Sequence, residues 1–469
     1  MVGMAVAFTG CVSVPEGDWA SKTFELPYVH NYDVVNCAHF DWRDDDLATN
    51  AFVYSQRLAG PLSALAACVY GYRRDMDRHT LTGLGFNVAT LSRRYGRDLN
   101  YADDVYGKDQ VGFTLATKRV LLGGTLRDVL FILVRGTFGR DEWLSNLNCC
   151  NSWGAAVDPD PAAMPPLHEG FRKAADAVQA AVEAYVASNR VELANAKVVV
   201  TGHSRGAAVA NILGARIDDG VMLSGAARAN VFVYTFATPN TVLDPAVDCG
   251  AQRYRNIFNV INPEDMVPLV PITRWNSRRY GTDLHLKNYD ELSLWGVWTD
   301  PGYNEMKDEF RRLTGYEWWH TPFGTNSTHL VPAILGALAP TVPDLYSVQA
   351  DQQAAGNFTS VHSILEMLIY RSMDPPNLSE RGASLGGDVK NLTKAYTAVN
   401  SGETEQPGSK EPRFFVPDGR DFSRQPGIFD LTWRLSCMHA TQTYIGWMKA
   451  ADLHGPGAVY KNWHDVVQP

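Results

Sequence analysis

A short run near the middle of the chain constrains the fold more than any other. Lys197-Val198-Val199-Val200 is β-branched and apolar, Gly202-His203-Ser204-Arg205-Gly206 follows, and Ala207-Ala208-Val209-Ala210-Asn211-Ile212-Leu213 comes next. A β-branched run of this kind suits a strand buried on both faces. The glycines allow the backbone to turn tightly, and the small residues at 207 and 208 let a helix lie close to the strand that precedes it. A buried strand passing straight into a helix is the unit of a parallel sheet covered by helices. The same G-x-S-x-G spacing recurs at Gly382-Ala383-Ser384-Leu385-Gly386. There the preceding Asp374-Pro375-Pro376-Asn377-Leu378-Ser379-Glu380-Arg381 cannot form a central strand, so the spacing stands without its context.

The flanking sequence alternates in the same way. Phe52, Leu58, Leu62, Leu65, Val69 and Tyr70 mark a helix between Phe52 and Tyr72, and Gly170 to Ser188 is a long Ala-rich helix. Strands are predicted at Phe113–Thr117 and Asp128–Val134 around the turn Leu122-Gly123-Gly124-Thr125, then at Val231–Phe236 and Arg255–Ile261. The fold class read from this order is α/β, with a mostly parallel central sheet covered by helices. Residues 1–30 read as a leader or flexible N-terminus and 31–290 as the core. The pattern stops near Asp290, and 291–424 read as a long helical and irregular insertion on the same domain, with helical pieces at Val331–Leu338 and Val361–Tyr370. Residues 425–469 return to the core. A chain of 469 residues needs no metal or disulfide staple, and 45% hydrophobic residues exclude a mainly disordered chain. The net charge of −9 argues against a nucleic-acid binder. No uncharged apolar run reaches the ~18–20 residues of a transmembrane helix.

The N-terminus carries a weaker signal. Ala5-Val6-Ala7-Phe8-Thr9-Gly10-Cys11 is similar to the end of a bacterial lipoprotein signal, with Cys11 as the lipidation point, although no Lys or Arg precedes the apolar stretch. The expectation is an exported protein, secreted or lipid-anchored, with an apolar terminus on a cytoplasmic protein as the alternative. No CxxC spacing occurs, so no metal site is expected, and Cys68 in its apolar run reads as a buried thiol.

The turn at Ser204 carries the chemistry. A serine lifted out of a strand-to-helix bend exposes its hydroxyl, and the Arg205 N–H belongs to the first helical turn, where the dipole favours a developing oxyanion. Ser204 is therefore the candidate nucleophile. A general acid–base system in this fold places an acid past a later strand and then a histidine. Asn259-Val260-Ile261-Asn262-Pro263-Glu264-Asp265-Met266-Val267-Pro268 supplies Asp265 there, with Glu264 as its neighbour and competitor. Among the later histidines, His329, His362 and His439 each precede an apolar stretch.

Four motifs in this order resemble the class 3 (fungal-type) lipases, particularly their larger bacterial relatives. They are Val134-Arg135-Gly136-Thr137, His168-Glu169-Gly170-Phe171, the Ser204 pentapeptide and Asn262-Pro263-Glu264-Asp265-Met266-Val267-Pro268. The likeness runs from about Asp33 to Leu286. It implies an α/β-hydrolase fold, hydrolysis of carboxylic esters of lipids at or near a lipid–water interface, and no redox cofactor. It further implies Thr137 as the second oxyanion donor beside Arg205. A lid is implied between Phe138 and Leu167, with Trp143, Leu144, Leu147, Trp153 and Met164 as its apolar candidates. His439-Ala440-Thr441-Gln442-Thr443-Tyr444 resembles the family's C-terminal segment, with an aromatic five positions after the histidine. His439 is thus the expected base and His362 the runner-up. His168 and His203 read as packing or hydrogen-bonding residues. The rival readings are a phospholipase or small-ester carboxylesterase on the same fold, and a catalytically silent protein that binds lipid or a partner.

Overall fold

A computed structural model describes residues 22–27, 35–70, 76–88, 100–104, 107–137, 166–265, 267–269, 277–287, 299–314, 317–318 and 438–464. The chain opens with an antiparallel pair, β1 (Lys22–Pro27) and β2 (Val35–Phe40). Helices α1 (Gln56–Cys68) and α2 (Met76–Gly83) lead to the short strand β3 (Asn87–Val88). A separate hairpin, β4 (Asn100–Asp104) and β5 (Gly107–Gln110), precedes the long hairpin of β6 (Phe113–Leu122) and β7 (Thr125–Val134). Its two-residue turn places Gly123 at φ +56° and Gly124 at +78°, a pair of left-handed positions that favours glycine at both. The alternating part follows: α3 (Glu169–Asn189), β8 (Lys197–His203), α4 (Arg205–Asp218), β9 (Val231–Phe236), β10 (Ile257–Ile261) and β11 (Thr282–His285). Two further helices, α5 (Pro301–Thr314) and α6 (Thr441–His454), complete the described elements.

Seven strands form the main sheet in the order β11-β10-β9-β8-β7-β6-β3. The five from β7 to β11 run parallel, and β6 and β3 extend the sheet antiparallel. β8 lies at the centre and every one of its residues is buried, which is why its sequence shows no alternation. Side chains still divide between the faces with period two. Val129, Phe131 and Leu133 of β7 join Val199, Phe232 and Phe258 in a core with α1, α5 and α6. Leu130, Ile132 and Val134 join Val198, Val200 and Val233 against α3 and α4. This doubly covered, mostly parallel sheet is the α/β-hydrolase fold.

The observed boundaries differ in detail from those expected. The first helix starts at Gln56 because Phe52 sits in a turn, its N–H bound to Asn50 Oδ1 at 3.0 Å. β10 begins at Ile257 rather than Arg255, since Arg255 still closes the helical turn Gln252–Tyr254, with φ −62° and its N–H donating to Gln252 O at 3.4 Å. Helix α5 falls in the stretch read as insertion, yet Tyr303, Met306, Phe310 and Leu313 are buried with α6 in the core. Their 3-4-3 spacing is helical, but the aromatic, Pro- and Gly-rich surroundings concealed it. The helical pieces expected at 331–338 and 361–370 lie outside the described residues, as does Cys11. Among the described residues no helix is long and apolar enough to cross a membrane.

Candidate active site

The site is built at the C-terminal ends of the parallel strands, where open α/β sheets place their crevices. Ser204 follows β8 directly and adopts φ +59°, ψ −131°. A non-glycine residue so placed carries about 1–3 kcal/mol of strain, which the surroundings must hold. They do so through backbone contacts. The Ser204 N–H donates to Phe236 O at 3.0 Å, and the Ser204 carbonyl accepts from Ala208 N at 3.1 Å. Gly206 passes so close to the end of β7 that a Cβ there would lie 2.3 Å from Val134 O. A Cβ at Gly202 would lie 2.5 Å from Gly206 itself. Both flanking glycines are therefore required by close approach of backbone to backbone.

Asp265 lies just past β10, in a turn closed by Asp265 N to Asn262 O at 3.0 Å. Its carboxylate is fully buried and accepts three hydrogen bonds. Val267 N donates to Oδ1 at 2.9 Å, and Tyr444 Oη donates to Oδ2 at 2.8 Å. The third bond, also to Oδ2, comes from His439 Nδ1 at 2.7 Å. Arg279 steadies this turn from outside, donating to Pro268 O at 3.1 Å and to Thr238 O. His439 precedes α6, and its Nε2 lies 2.9 Å from Ser204 Oγ. The three side chains thus form one hydrogen-bonded line from carboxylate through imidazole to hydroxyl. Ser204, His439 and Asp265 are nearly or wholly buried.

Two residues named as oxyanion donors flank this line. Arg205 is the first residue of α4, so its N–H stands at the positive end of the helix. Thr137 follows β7 in the segment 135–137, which lies against the bend: a Cβ at Gly136 would meet His203 O at 2.7 Å. Both Arg205 and Thr137 are buried. Burial also pulls the Arg205 guanidinium down to about 9. Glu264, the local competitor of Asp265, is buried, and its N–H is bound to Asn262 Oδ1 at 3.2 Å. His362, Ser384 and residues 138–165, which hold the lid candidates, lie outside the described residues.

The two histidines read as non-catalytic have defined partners. His168 caps α3, accepting from Phe171 N at 3.3 Å and stacking on the Phe171 ring. His203 sits between Tyr70 Oη at 3.1 Å and the His439 carbonyl at 2.9 Å. Sequence reasoning assigned no role to Tyr444 or Tyr70. The first was visible as the aromatic five positions after His439, whereas nothing in its local sequence marks Tyr70.

The family model described as Lipase (class 3) matches residues 131–275, which contain Thr137, Ser204 and Asp265. The likeness read from the four motifs therefore holds over the part of the chain that carries the bend and the acid. The secreted mono- and diacylglycerol lipase 1 of Fusarium solani is 29% identical over 146 residues, covering 31% of this chain and 40% of its own. The lipase of Rhizomucor miehei is 29% identical over 160 residues, covering 33% of this chain and 41% of its own. The chain thus spans about two fifths of the length of these curated relatives. A solved structure of Rhizomucor miehei triacylglyceride lipase aligns over 51% of this chain and 83% of its own, at 19% identity and a TM-score of 0.34.

Proposed function

We propose that the protein is a serine hydrolase that cleaves carboxylic ester bonds of lipids through an acyl-enzyme. The observation that carries the reading is the continuous contact from Asp265 Oδ2 through both nitrogens of His439 to Ser204 Oγ. In the first half-reaction His439 Nε2 takes the Ser204 proton while Oγ attacks the ester carbonyl. The tetrahedral oxyanion is held by the N–H groups of Arg205 and Thr137, and His439 returns the proton to the leaving alcohol. Water then repeats the sequence and releases the acid. Asp265, facing Nδ1, fixes the imidazole tautomer and stabilises the imidazolium in both halves.

The curated relatives are described as lipases, one of them for mono- and diacylglycerols and secreted, which favours glyceride esters and an exported protein over phospholipids. Such substrates sit at a lipid–water interface, so activity is expected to rise when the ester is presented as an emulsion. The test is covalent labelling by an active-serine phosphonate together with hydrolysis of soluble and emulsified esters. Labelling at Ser204, and a loss of kcat of about 10⁴–10⁶ in Ser204→Ala, are expected. Intact protein that takes no label and turns over no ester would leave the binding-protein reading instead. Preference for short soluble esters would make it a carboxylesterase.

A further inference from the structure

Acid and base are 174 positions apart in the chain. Connectivity over that distance does little to fix a side chain, because the entropy of a loop this long changes slowly with length. Local contacts must therefore hold the base. Two consecutive carbonyls beside it are each bound by a side chain from another motif. Met438 O accepts from Asn262 Nδ2 of the acid's turn at 2.9 Å, and His439 O lies 2.9 Å from His203 Nε2 of the serine's bend.

The direction of the second contact follows from the chemistry of its partners. A carbonyl oxygen only accepts, so His203 Nε2 carries the ring hydrogen. In a neutral ring Nδ1 is then an acceptor, and it faces the Tyr70 hydroxyl at 3.1 Å. Tyr70 in turn is seated against the end of β7, where a Cβ at Gly136 would lie 1.6 Å from its oxygen. The O–H of Tyr70 and the N–H of His203 thus point in one direction, toward the base.

We propose that His203 is a positioning residue for His439: Tyr70 fixes it as the Nε2–H tautomer, and that N–H clamps the His439 main chain to the bend that carries Ser204. The assignment rests on reading Ser204, His439 and Asp265 as the catalytic line. It also explains why a second imidazole is tolerated with its ring centre 4.7 Å from that of His439. The titratable groups around His203 are the Tyr70 phenol, the His439 imidazole and the Tyr444 phenol. Burial, together with the neighbouring His439, pushes His203 well below the usual histidine range. It stays uncharged while His439 acquires its proton, so no second cation opposes the imidazolium.

The experiment compares His203→Phe, which keeps the ring shape without a donor, with His203→Gln, whose amide N–H can reach the same carbonyl. His203→Phe is expected to lower kcat by about 10–100-fold, the equivalent of one buried hydrogen bond to the base, with KM changed by less than about twofold. His203→Gln is expected to recover most of that loss. Equal losses in both variants, or an unchanged kcat in His203→Phe, would overturn the clamp in favour of simple packing. Circular dichroism checks that each variant folds. Should His203→Phe not fold, Tyr70→Phe carries the test, with an expected kcat loss of about 3–10-fold and overturn if kcat is unchanged. The imidazole ¹⁵N shifts of the wild-type protein read the same claim without turnover. A protonated Nε2 and a bare Nδ1 from about pH 5 to 8 uphold it, and ordinary titration near ~6.5 overturns it. If Ser204 takes no phosphonate and no ester is cleaved, the hydrolase reading fails, while those shifts still decide the tautomer.

Discussion

Tyr444 donates its hydroxyl at 2.8 Å to Asp265 Oδ2, the same oxygen that faces His439 Nδ1. The phenol is buried, and burial with the adjacent Asp265 carboxylate holds it well above its ordinary value. It therefore remains a donor at every pH where a histidine base operates. Its hydrogen bond fixes the carboxylate's orientation, since the other oxygen is already held by Val267 N at 2.9 Å. Tyr444→Phe is expected to lower kcat by about 5–50-fold with little change in KM, because the bond acts through Asp265 and His439 rather than on the substrate. Steady-state kinetics on a soluble ester check this. A KM effect without a kcat effect would place Tyr444 in substrate binding instead.

The bend at Ser204 makes a sharper prediction about glycine. Gly206→Ala would place a Cβ 2.3 Å from Val134 O and 2.7 Å from the Arg135 carbonyl carbon. Both are backbone atoms of a sheet strand's end and cannot retreat without opening the β7–β8 pairing. Loss of esterase activity is expected, with destabilisation of at least about 2 kcal/mol by chemical denaturation. Gly83→Ala is the control, because a Cβ there meets nothing within 4 Å and the residue ends α2. It is expected to be neutral or to stabilise by about 0.4–1 kcal/mol through the unfolded chain.

The parts of this molecule legible in the sequence are those whose physics is local. The strand-to-helix bend around Ser204 needs a buried β-branched run, two glycines at fixed offsets and a small-residue helix start, all contiguous. The position of Asp265 past β10 follows from the same strand–turn order. His439 is harder to read because 235 positions separate it from Ser204, and only the aromatic five positions after it distinguishes it from His362, which also precedes an apolar stretch. The supporting contacts were hidden for the same reason. Tyr70 reaches His203 across 133 positions, and Asn262 reaches Met438 across 176. Helix α5 is hard to read because its apolar spacing begins at Pro301-Gly302, in a run whose sequence is rich in aromatic, Pro and Gly residues. Its partner, α6, lies more than a hundred residues further on.

Buried phenols set the alkaline limit of stability. Tyr54, Tyr234, Tyr444 and Tyr460 are all held above the ordinary tyrosine value of 10.0, chiefly by burial. In the unfolded chain each ionises near that value, so at higher pH the unfolded state loses protons that the folded state retains. Linkage then draws the equilibrium toward unfolding. The contribution is fully present below about pH 10 and is lost above it. Denaturant midpoints measured between about pH 8 and 11 should be flat at first and then fall. Tyr54→Phe should soften the fall, although it also removes the 2.6 Å contact with Tyr460 Oη.

Asp218 offers a test of the same sign at lower pH, near neutrality. It closes α4 with a buried carboxyl, and burial pushes it up to about 7 despite one hydrogen bond from Asn256 Nδ2 at 3.1 Å. Its other oxygen, Oδ2, and Asn256 Oδ1 are both buried without a hydrogen-bond partner. A proton on the carboxyl would relieve this, and the amide of Asp218→Asn would do so permanently. Because the folded-state value is raised above the unfolded value of 3.8, wild-type stability from this group is present below that value and declines as pH rises toward about 7. The stabilisation gained by Asp218→Asn should therefore be small near pH 4, grow through the acid range and level off above about 7. Thermal midpoints of both proteins across that range measure it. A gain of several degrees at about pH 8, shrinking on acidification, is the expected result, and a pH-independent difference would mean that Asp218 is charged in the folded state throughout.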